Sequence, residues 1–516
     1  MKFIEWLLIT FYIGCGTVLF LYGLNCYWQV FFFVRGQRFL KKQSEKADRL
    51  AEEMWAHPDS LPIVTTQIPL YNEFNVAARI MEAVAGIDYP KDRHQIQVLD
   101  DSNDETCSLI DQISATLKEK GHWVEVFRRD NREGFKAGAL KAALEEAQGD
   151  YVAIFDGDFV PTPQFMRQTL PLLIHEKDLA LVQGRWTHLN PKENLLCRAQ
   201  SVGIDGHFSI EQAARASNDL FLNFNGTAGL WRKKAIYDCG NWEGDTLTED
   251  MDLSYRAQLA GWRLTFRSEA VVPAELPSTF IAFKNQQFRW AKGSIQTARK
   301  LYPRVWKSGR SFVARLQALF HLTHYGIHPV IILIALMSLP MMFIVPDQIG
   351  ILVRIFGVAS IFVAAVGPNS LYVVSQRHLY PKDWPKRILF LPILTVIGLG
   401  ISVSNCRGVI EGLAGIQSEF VRTPKKGSNN KIRYQAKASW VIWAEIFLAI
   451  YCGISLLLHI ILGVWGIAPF LLLYTLGYSF VGFRSLIEIR QSNPLRAQPD
   501  SNGLAQPNSQ SAGATG

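Results

Sequence analysis

The sequence is poor in three things, and each absence closes off a class of protein. Its seven cysteines (Cys15, Cys26, Cys107, Cys197, Cys239, Cys406 and Cys452) are scattered, odd in number, and never form C-x-x-C. This excludes a disulfide framework and a tetrahedral zinc site, and points to a reducing compartment for the soluble part. Charge is scarce: 19% of the 516 residues are Asp, Glu, Lys or Arg, against 49% hydrophobic. No basic stripe or nucleic-acid reader motif accompanies the net charge of +8, so no nucleic-acid partner is expected. Finally, no small-residue cleavage site follows the first apolar run, which argues for an uncleaved anchor over a signal peptide.

What is present is apolar and unevenly spread. Residues 4–33 form a nearly unbroken apolar run followed by Arg35, Arg38, Lys41 and Lys42. The positive-inside rule places the next domain in the cytoplasm, so residues 1–35 read as a transmembrane anchor and 45–310 as a cytoplasmic domain. Beyond it, 316–490 reads as a membrane region. Four stretches there are long enough to cross a bilayer: 318–345, 351–375, 440–462 and 466–487. The segment 388–413 is apolar at first but contains Asn405, Arg407 and Glu411, and lies between the basic loops 376–387 and 421–437. Both loops favour the cytoplasm, so 388–413 is expected to be re-entrant or interfacial. The tail 491–516 is rich in Ser, Asn, Gln, Pro, Gly and Ala and is expected to be disordered.

Between residues 50 and 310, strand-like runs (62–70, 96–100, 123–128, 151–156 and 179–186) alternate with helical patterns at 73–86, 105–120, 134–148 and 163–176. That alternation predicts a mostly parallel sheet with helices on both faces, and such sheets bind ligands at the carboxyl ends of their strands. Acids stand at those ends. IQVLDDS closes on Asp100-Asp101 and YVAIFDGD on Asp156-Gly157-Asp158, a pair suited to Mg²⁺ or Mn²⁺. A third group, Thr248, Glu249, Asp250 and Asp252, opens an apolar-periodic helix, a rigid place for a general base. Lys136 enters another helix between glycines, where an anionic phosphate would offset the unfavourable cation. In FKNQQFRWAKGS, Gln286, Arg289, Trp290 and Gly293 share one helical face.

The ordered series QVLDDSND, NREGFKAGALK, YVAIFDGDF, FNGTAG, TEDMDL and QQFRW resembles the processive family-two glycosyltransferases of the cellulose synthase superfamily. The wording QIPLYNE, LALVQGRW, NGTAGLWR and ELPSTFIAFKNQQFRW is most similar to the cellulose synthase-like A and C groups, makers of mannan, glucomannan or β-1,4-glucan. The resemblance implies a GT-A type α/β transferase domain set between the N-terminal helix and a bundle of about four transmembrane helices with interfacial helices. It further implies an inverting hexosyltransferase that builds a β-1,4-glycan from UDP-glucose or GDP-mannose and passes it through its own helices. Asp100 or Asp101 would hold the nucleoside, Lys136 and Arg289 the diphosphate, and Asp156 and Asp158 a Mg²⁺ or Mn²⁺ ion. Asp250, with Glu249, would be the catalytic base; Gln286, Trp290 and Thr248 would meet the acceptor.

EFVRTPKKG resembles the F-x-V-T-x-K gating loop of cellulose synthases, matching at Phe420, Thr423 and Lys425 and departing at Arg422; it lies in the expected loop 416–437. Gly157 stands where plant relatives usually have alanine. The expected surroundings are a lipid bilayer, bacterial cytoplasmic membrane or, in a eukaryote, Golgi, with an accessory export subunit left open. A non-processive glycolipid glycosyltransferase shares the acids but needs no channel, and a retired scaffold would not keep the acid series intact. His321, His324 and His328, spaced by three and seven, are expected to line the polar mouth of a membrane path rather than to bind metal.

Overall fold

The apolar runs of the soluble part form strands because each is a short β-branched or aromatic segment closed by Asp, Gly or Pro. In the computed structural model, which describes residues 2–344, 351–417 and 439–492, they assemble into one sheet. Its strands are β1 (Val64–Leu70), β2 (His94–Asp100), β3 (Trp123–Phe127), β4 (Tyr151–Ile154), β5 (Leu179–His188), β6 (Gly229–Arg232) and β7 (Arg263–Ala274), in the order β3-β2-β1-β4-β6-β5-β7. All neighbours are parallel except β6, which runs antiparallel to both β4 and β5. β6 and β7 fall outside the expected strands. β6 has only four residues, and β7 carries Arg263, Arg267 and Glu269, charges typical of an edge strand.

Register sets the position of the site. β1 and β2 pair without a slip from Val64↔His94 to Leu70↔Asp100, so both strands end at one level. β5 and β7 shift register between Gly184↔Arg267 and Arg185↔Val271, a bulge. Beyond it the strand continues to Trp186, Thr187 and His188. The helices of the domain are α2 (Phe74–Ala85), α3 (Thr106–Glu119), α4 (Phe135–Glu145), α5 (Phe165–His175), α6 (Leu195–Gly206), α7 (Ala213–Ser217), α8 (Lys233–Asp238), α9 (Glu249–Leu259) and α10 (Phe280–Lys307). Two apolar cores lie on opposite faces of the sheet, one around Ile68, Ile80, Val98 and Leu170, the other around Leu140, Ile154, Leu181 and Trp231.

The N-terminal helix α1 (Lys2–Trp55) does not stop at the expected anchor boundary near 35. It runs on beside the sheet edge and becomes part of the soluble unit. Ala47 is buried in its core and Ala51 is buried beside it, Gln43 donates to Thr265 Oγ1 at 3.0 Å, and Asp48 accepts from the buried Arg267 at 2.9 Å. Sequence composition changes near residue 35, where the apolar run gives way to Arg35, Arg38, Lys41 and Lys42, but the helix continues and covers β7.

Among the described residues, four helices are long and apolar enough to cross a membrane: Phe3–Trp55, Phe312–Phe343, Trp440–Ile461 and Ala468–Gln491. The second comprises α11 (Phe312–Thr323) and α12 (Ile327–Ile344), and the expected crossing at 351–375 lies in α13 (Ile351–Leu379). α13 approaches α1 so closely that a Cβ on Gly367 would stand 2.5 Å from Gly23 O. After α14 (Trp384–Arg387), the segment 388–413 is a broken helix. α15 (Leu391–Gly400) and α16 (Ser402–Ala414) meet at a 47° bend. α17 (Trp440–Ile461) and α18 (Ala468–Ser492) complete the chain's described helices.

Candidate active site

One cleft of about 190 Å³ opens at the carboxyl ends of β1, β2, β4 and β5 and is closed by the first turn of α9 and by the second and third turns of α10. β1 brings Tyr71 and Glu73, β2 brings Asp101, and β4 brings Asp156 and Asp158. α9 adds Thr248, Glu249 and Asp250, while α10 adds Gln286, Arg289 and Trp290. Motifs up to about two hundred residues apart in the chain thus share one cavity, because consecutive strands end on the same side of a parallel sheet.

The acids are held firmly. Asp156 N–H donates to Thr227 Oγ1 at 2.9 Å, and Lys136 Nζ donates to Asp156 Oδ1 at 2.5 Å and to Gly226 O at 2.7 Å. The helix-end conflict at Lys136 is therefore answered by the protein's own carboxylate. Burial pulls Lys136 down, but Asp156 and Glu249 outweigh it, so the ammonium is retained. Burial raises Asp156, with Lys136 opposing and Asp158 adding to the rise. Glu249 is likewise raised by burial. Asp250 is pushed up to about 8, first by burial and then by Glu249 beside it. Its Oδ1 accepts from Met251 N–H at 2.7 Å. Gly226, at φ +81°, faces its other oxygen: a Cβ there would stand 3.1 Å from Asp250 Oδ2. The glycine of FNGTAG keeps that oxygen accessible.

α9 and α10 approach as a fitted pair. A Cβ on Gly293 would stand 2.6 Å from Thr248 Cγ2 and 2.9 Å from Thr248 N. Gln296 Oε1 accepts from Leu247 N–H at 3.0 Å, and the Thr248 and Thr297 hydroxyls are 3.2 Å apart. Gly293, on the shared face of the QQFRW helix, is therefore the point of contact with α9. Asp252 is fully buried and, with Glu243 and Asp245, surrounds Lys300 Nζ at 2.5–2.9 Å. Among the described residues these three acids form the one cluster with metal-ligand spacing. Lys300 already satisfies them, and the cluster serves to tie α10 to α9.

Asp100 and Asp101 part company. Asp100 does not line the cleft: its buried carboxylate accepts from Arg128 Nε at 2.8 Å and from Ser102 N–H at 3.0 Å. Asp101 lines the cleft and is gripped by Arg129 through Nε and Nη2 at 3.0 and 2.5 Å. Phe420, Thr423 and Lys425 lie outside the described residues. His321, His324 and His328 do not converge. His321 Nδ1 meets Tyr255 OH at 2.8 Å, His324 Nδ1 meets His321 O at 2.8 Å, and His328 Nε2 meets Asn405 at 2.9 Å. None of the three lines the cleft.

Several residues of the cleft escaped the sequence reading. Glu73 stands close to the D-G-D turn, where a Cβ on Gly157 would meet its Oε2 at 1.9 Å. Glu275 joins the cleft from the end of β7 and accepts from Arg79 at 3.0 Å. Arg132 lies 3.2 Å above the Tyr71 ring. His188 joins from β5, its Nε2 3.0 Å from the buried Asp205. Tyr71 and Glu73 were accessible to the rule that picked out Asp101, since they too follow the end of a strand.

Seven acids (Glu73, Asp101, Asp156, Asp158, Glu249, Asp250 and Glu275) line the cleft against three permanent cations (Arg132, Lys136 and Arg289). Arg129 pairs with Asp101 and Arg79 with Glu275, so the surplus of acid lies around Glu73, Asp156, Asp158 and Glu249, where a bound cation would offset it. Asp156 and Asp158 are hard oxygen donors separated by one glycine, and Asp158 raises the carboxyl of Asp156. That donor set fits a hard divalent cation.

A family model described as glycosyltransferase like family 2 matches residues 62–293. Glucomannan 4-beta-mannosyltransferase 1 of Oryza sativa subsp. japonica is 35% identical over 392 residues, covering 74% of this chain and 72% of the relative. Glucomannan 4-beta-mannosyltransferase 2 of Arabidopsis thaliana is 36% identical over 392 residues, covering 73% and 70%. A solved mannosyltransferase from Pyrobaculum calidifontis, in complex with GDP-Man and Mn²⁺, superposes with a TM-score of 0.53 at 17% identity, over 80% of this chain and 100% of that one. At that identity the likeness is one of fold.

Proposed function

Because the chain belongs to the family-two glycosyltransferases of the cellulose synthase superfamily, and is a membrane-associated hexosyltransferase, we propose that it extends a β-1,4-linked mannan or glucomannan from GDP-mannose at the cleft described above. The observation that carries this reading is the meeting of Asp250 with the Gln286-Arg289-Trp290 face across a cleft floored by Asp156 and Asp158. Asp250 accepts the proton of the acceptor hydroxyl as that oxygen attacks the anomeric carbon. The bond to the nucleoside diphosphate breaks on the opposite side, and the anomeric configuration inverts. Only the carboxylate form of Asp250 can take that proton; with its carboxyl pushed up to about 8 it is a stronger base than an ordinary carboxylate, and the base form grows as pH rises towards 8.

Arg289 presents a planar fork to the diphosphate. Trp290, packed on the cluster of Ala291, Ile295, Tyr325 and Val409, offers the acceptor sugar a flat apolar platform. Asp101, fixed by Arg129, faces the nucleoside. Asp156 and Asp158 would hold a divalent ion, Mg²⁺ or Mn²⁺, which when bound neutralises the departing diphosphate. The membrane helices would carry the product away from a cytoplasmic site; the relatives named are plant proteins, and nothing favours a bacterial membrane.

Membrane vesicles holding the chain, supplied with radiolabelled GDP-mannose or UDP-glucose, should yield a polymer from GDP-mannose that a β-1,4-mannanase degrades. A lipid-extractable monosaccharide adduct as the only product would replace this reading with a glycolipid transferase.

A further inference from the structure

The helix that carries Gln286, Arg289 and Trp290 has two faces. One meets the cleft. The other is held by three carboxylates, one from each of the last three helices among the described residues. Glu488 of α18 caps the first turn: Phe280 N–H donates to Oε1 at 2.8 Å and Ile281 N–H to Oε2 at 3.0 Å. Glu445 of α17 accepts both contacts from Lys284 Nζ, each at 3.0 Å, with the side chains 0% and 8% exposed. Glu411 of α16 accepts from Lys292 Nζ at 2.8 Å, where the lysine side chain is fully buried.

Backbone approach reinforces the last contact. Gly408 and Gly412, four residues apart, face α10 so closely that a Cβ on either would stand 2.9 Å from Phe288 O or Lys292 O. Small residues at that spacing let two helices meet at their backbones. The result is that α10 cannot slide or roll without breaking a buried ion pair, a helix cap or a close helix contact. Its cleft-facing residues lie within two turns of these holds.

A buried ion pair is weak evidence for stability, since desolvating both charges offsets most of their attraction. Geometry is what it fixes. We propose that Glu445, on a membrane helix, is a positioning residue for glycosyl transfer, holding α10 where Gln286, Arg289 and Trp290 address the reacting groups. The inference rests on the transferase reading above. The cleft acids Asp101, Asp156 and Asp158 follow β2 and β4, which Glu445 does not touch, whereas Gln286, Arg289 and Trp290 depend on it, Arg289 being the one donor contact among them.

The test uses the full chain in vesicles or nanodiscs and follows kcat for polymer formation beside donor affinity, measured by equilibrium binding of the nucleotide sugar with an added divalent cation. Glu445→Gln breaks the pair. The double variant Lys284→Met/Glu445→Leu removes both charges and keeps an apolar core, a change that buried pairs often tolerate without loss of fold. Both are expected to lower kcat by about tenfold or more, as small misplacements of reacting groups do, with donor affinity reduced by clearly less than kcat, since only Arg289 of the donor contacts lies on α10. The exchanged pair Lys284→Glu/Glu445→Lys should recover activity over Glu445→Gln. Parental kcat in the double variant, a matching loss of donor affinity, or no recovery on exchange would each overturn the proposal. If the parent chain itself makes no product, it is the transferase reading that fails.

Discussion

Replacing Gly293 by alanine tests the fitted contact between α9 and α10 with a single methyl group. In a helix interior this change ordinarily stabilises by about 1 kcal/mol. Here the sign reverses. The new Cβ would lie 2.6 Å from Thr248 Cγ2, 2.8 Å from Thr248 Oγ1 and 2.9 Å from Thr248 N, whereas ordinary contact begins at 3.4 Å. Rotating the Thr248 side chain cannot relieve the clash with its backbone nitrogen, and the neighbouring amide of Leu247 is held by Gln296. α10 must therefore retreat by roughly 0.5–0.8 Å to restore contact distances. Overpacking of this kind costs about 1–3 kcal/mol, more than the helix gain returns. The retreat carries Trp290 and Arg289, one turn away, from Asp250, two residues beyond Thr248. A misplacement approaching 1 Å can cost up to ~10²-fold in rate. Gly293→Ala is expected to lower kcat for polymer formation by about ten- to a hundredfold and to lower the melting temperature by a few degrees, read by vesicle assay and by thermal unfolding in detergent. A variant with a raised melting temperature and undiminished kcat would refute the reasoning, because it would mean that α9 and α10 are not in contact here.

Three other outcomes are expected. Asp250→Asn should abolish transfer while donor binding persists; its folded carboxyl sits near 8 against an ordinary value near 4, so the native chain holds a proton there that the unfolded chain releases. Its contribution to stability therefore falls as pH rises from about 4 to about 8, and the asparagine variant should melt higher than the parent at pH 8 but not at pH 4; equal melting at pH 8 would place the carboxyl elsewhere in its titration. Trp290→Ala should shorten the polymer and weaken acceptor use by about fivefold, the effect of losing roughly 1 kcal/mol of stacking, with little change in donor affinity; the reverse pattern would place Trp290 against the donor. Chelation of divalent cations should abolish donor binding, restored by Mn²⁺ or Mg²⁺, since the acids of the cleft outnumber its cations; donor binding unaffected by chelation would remove Asp156 and Asp158 from that role.

Much of the site was legible because its parts are local. An acid directly after an apolar run predicts a carboxylate at a strand end, and spacing of three and four places Gln286, Arg289, Trp290 and Gly293 on one helix face whatever surrounds it. The reading of 388–413 as re-entrant or interfacial rested on Asn405, Arg407 and Glu411 set among apolar residues; the bend between α15 and α16 and the close approach of Gly408 and Gly412 to α10 were not part of it. What stayed hidden depends on partners distant in the chain. Asp100 and Asp101 look equivalent, yet successive strand residues point to opposite faces, and Arg128 and Arg129 divide them into a buried pair and a cleft acid. Glu73 and Glu275 reach the cleft through the order in which strands pair. Lys284, Lys292, Glu445 and Glu488 carry no pattern of their own, since an isolated charge near an apolar segment reads as a flank until its counter-ion is known.

The sequence by itself determined which residue types stand where: carboxylates after apolar strands, an acidic helix start, an Arg-Trp helix face, and long apolar segments beyond them. Only the tertiary structure decided which of those groups share the cleft, that the N-terminal helix runs on to cover the sheet edge, and that α10 is held on its far side by the carboxylates of three other helices. The reason is physical. Side-chain type and local periodicity are fixed along the chain, whereas the pairing of buried charges and the close approach of glycines exist only once distant segments have met.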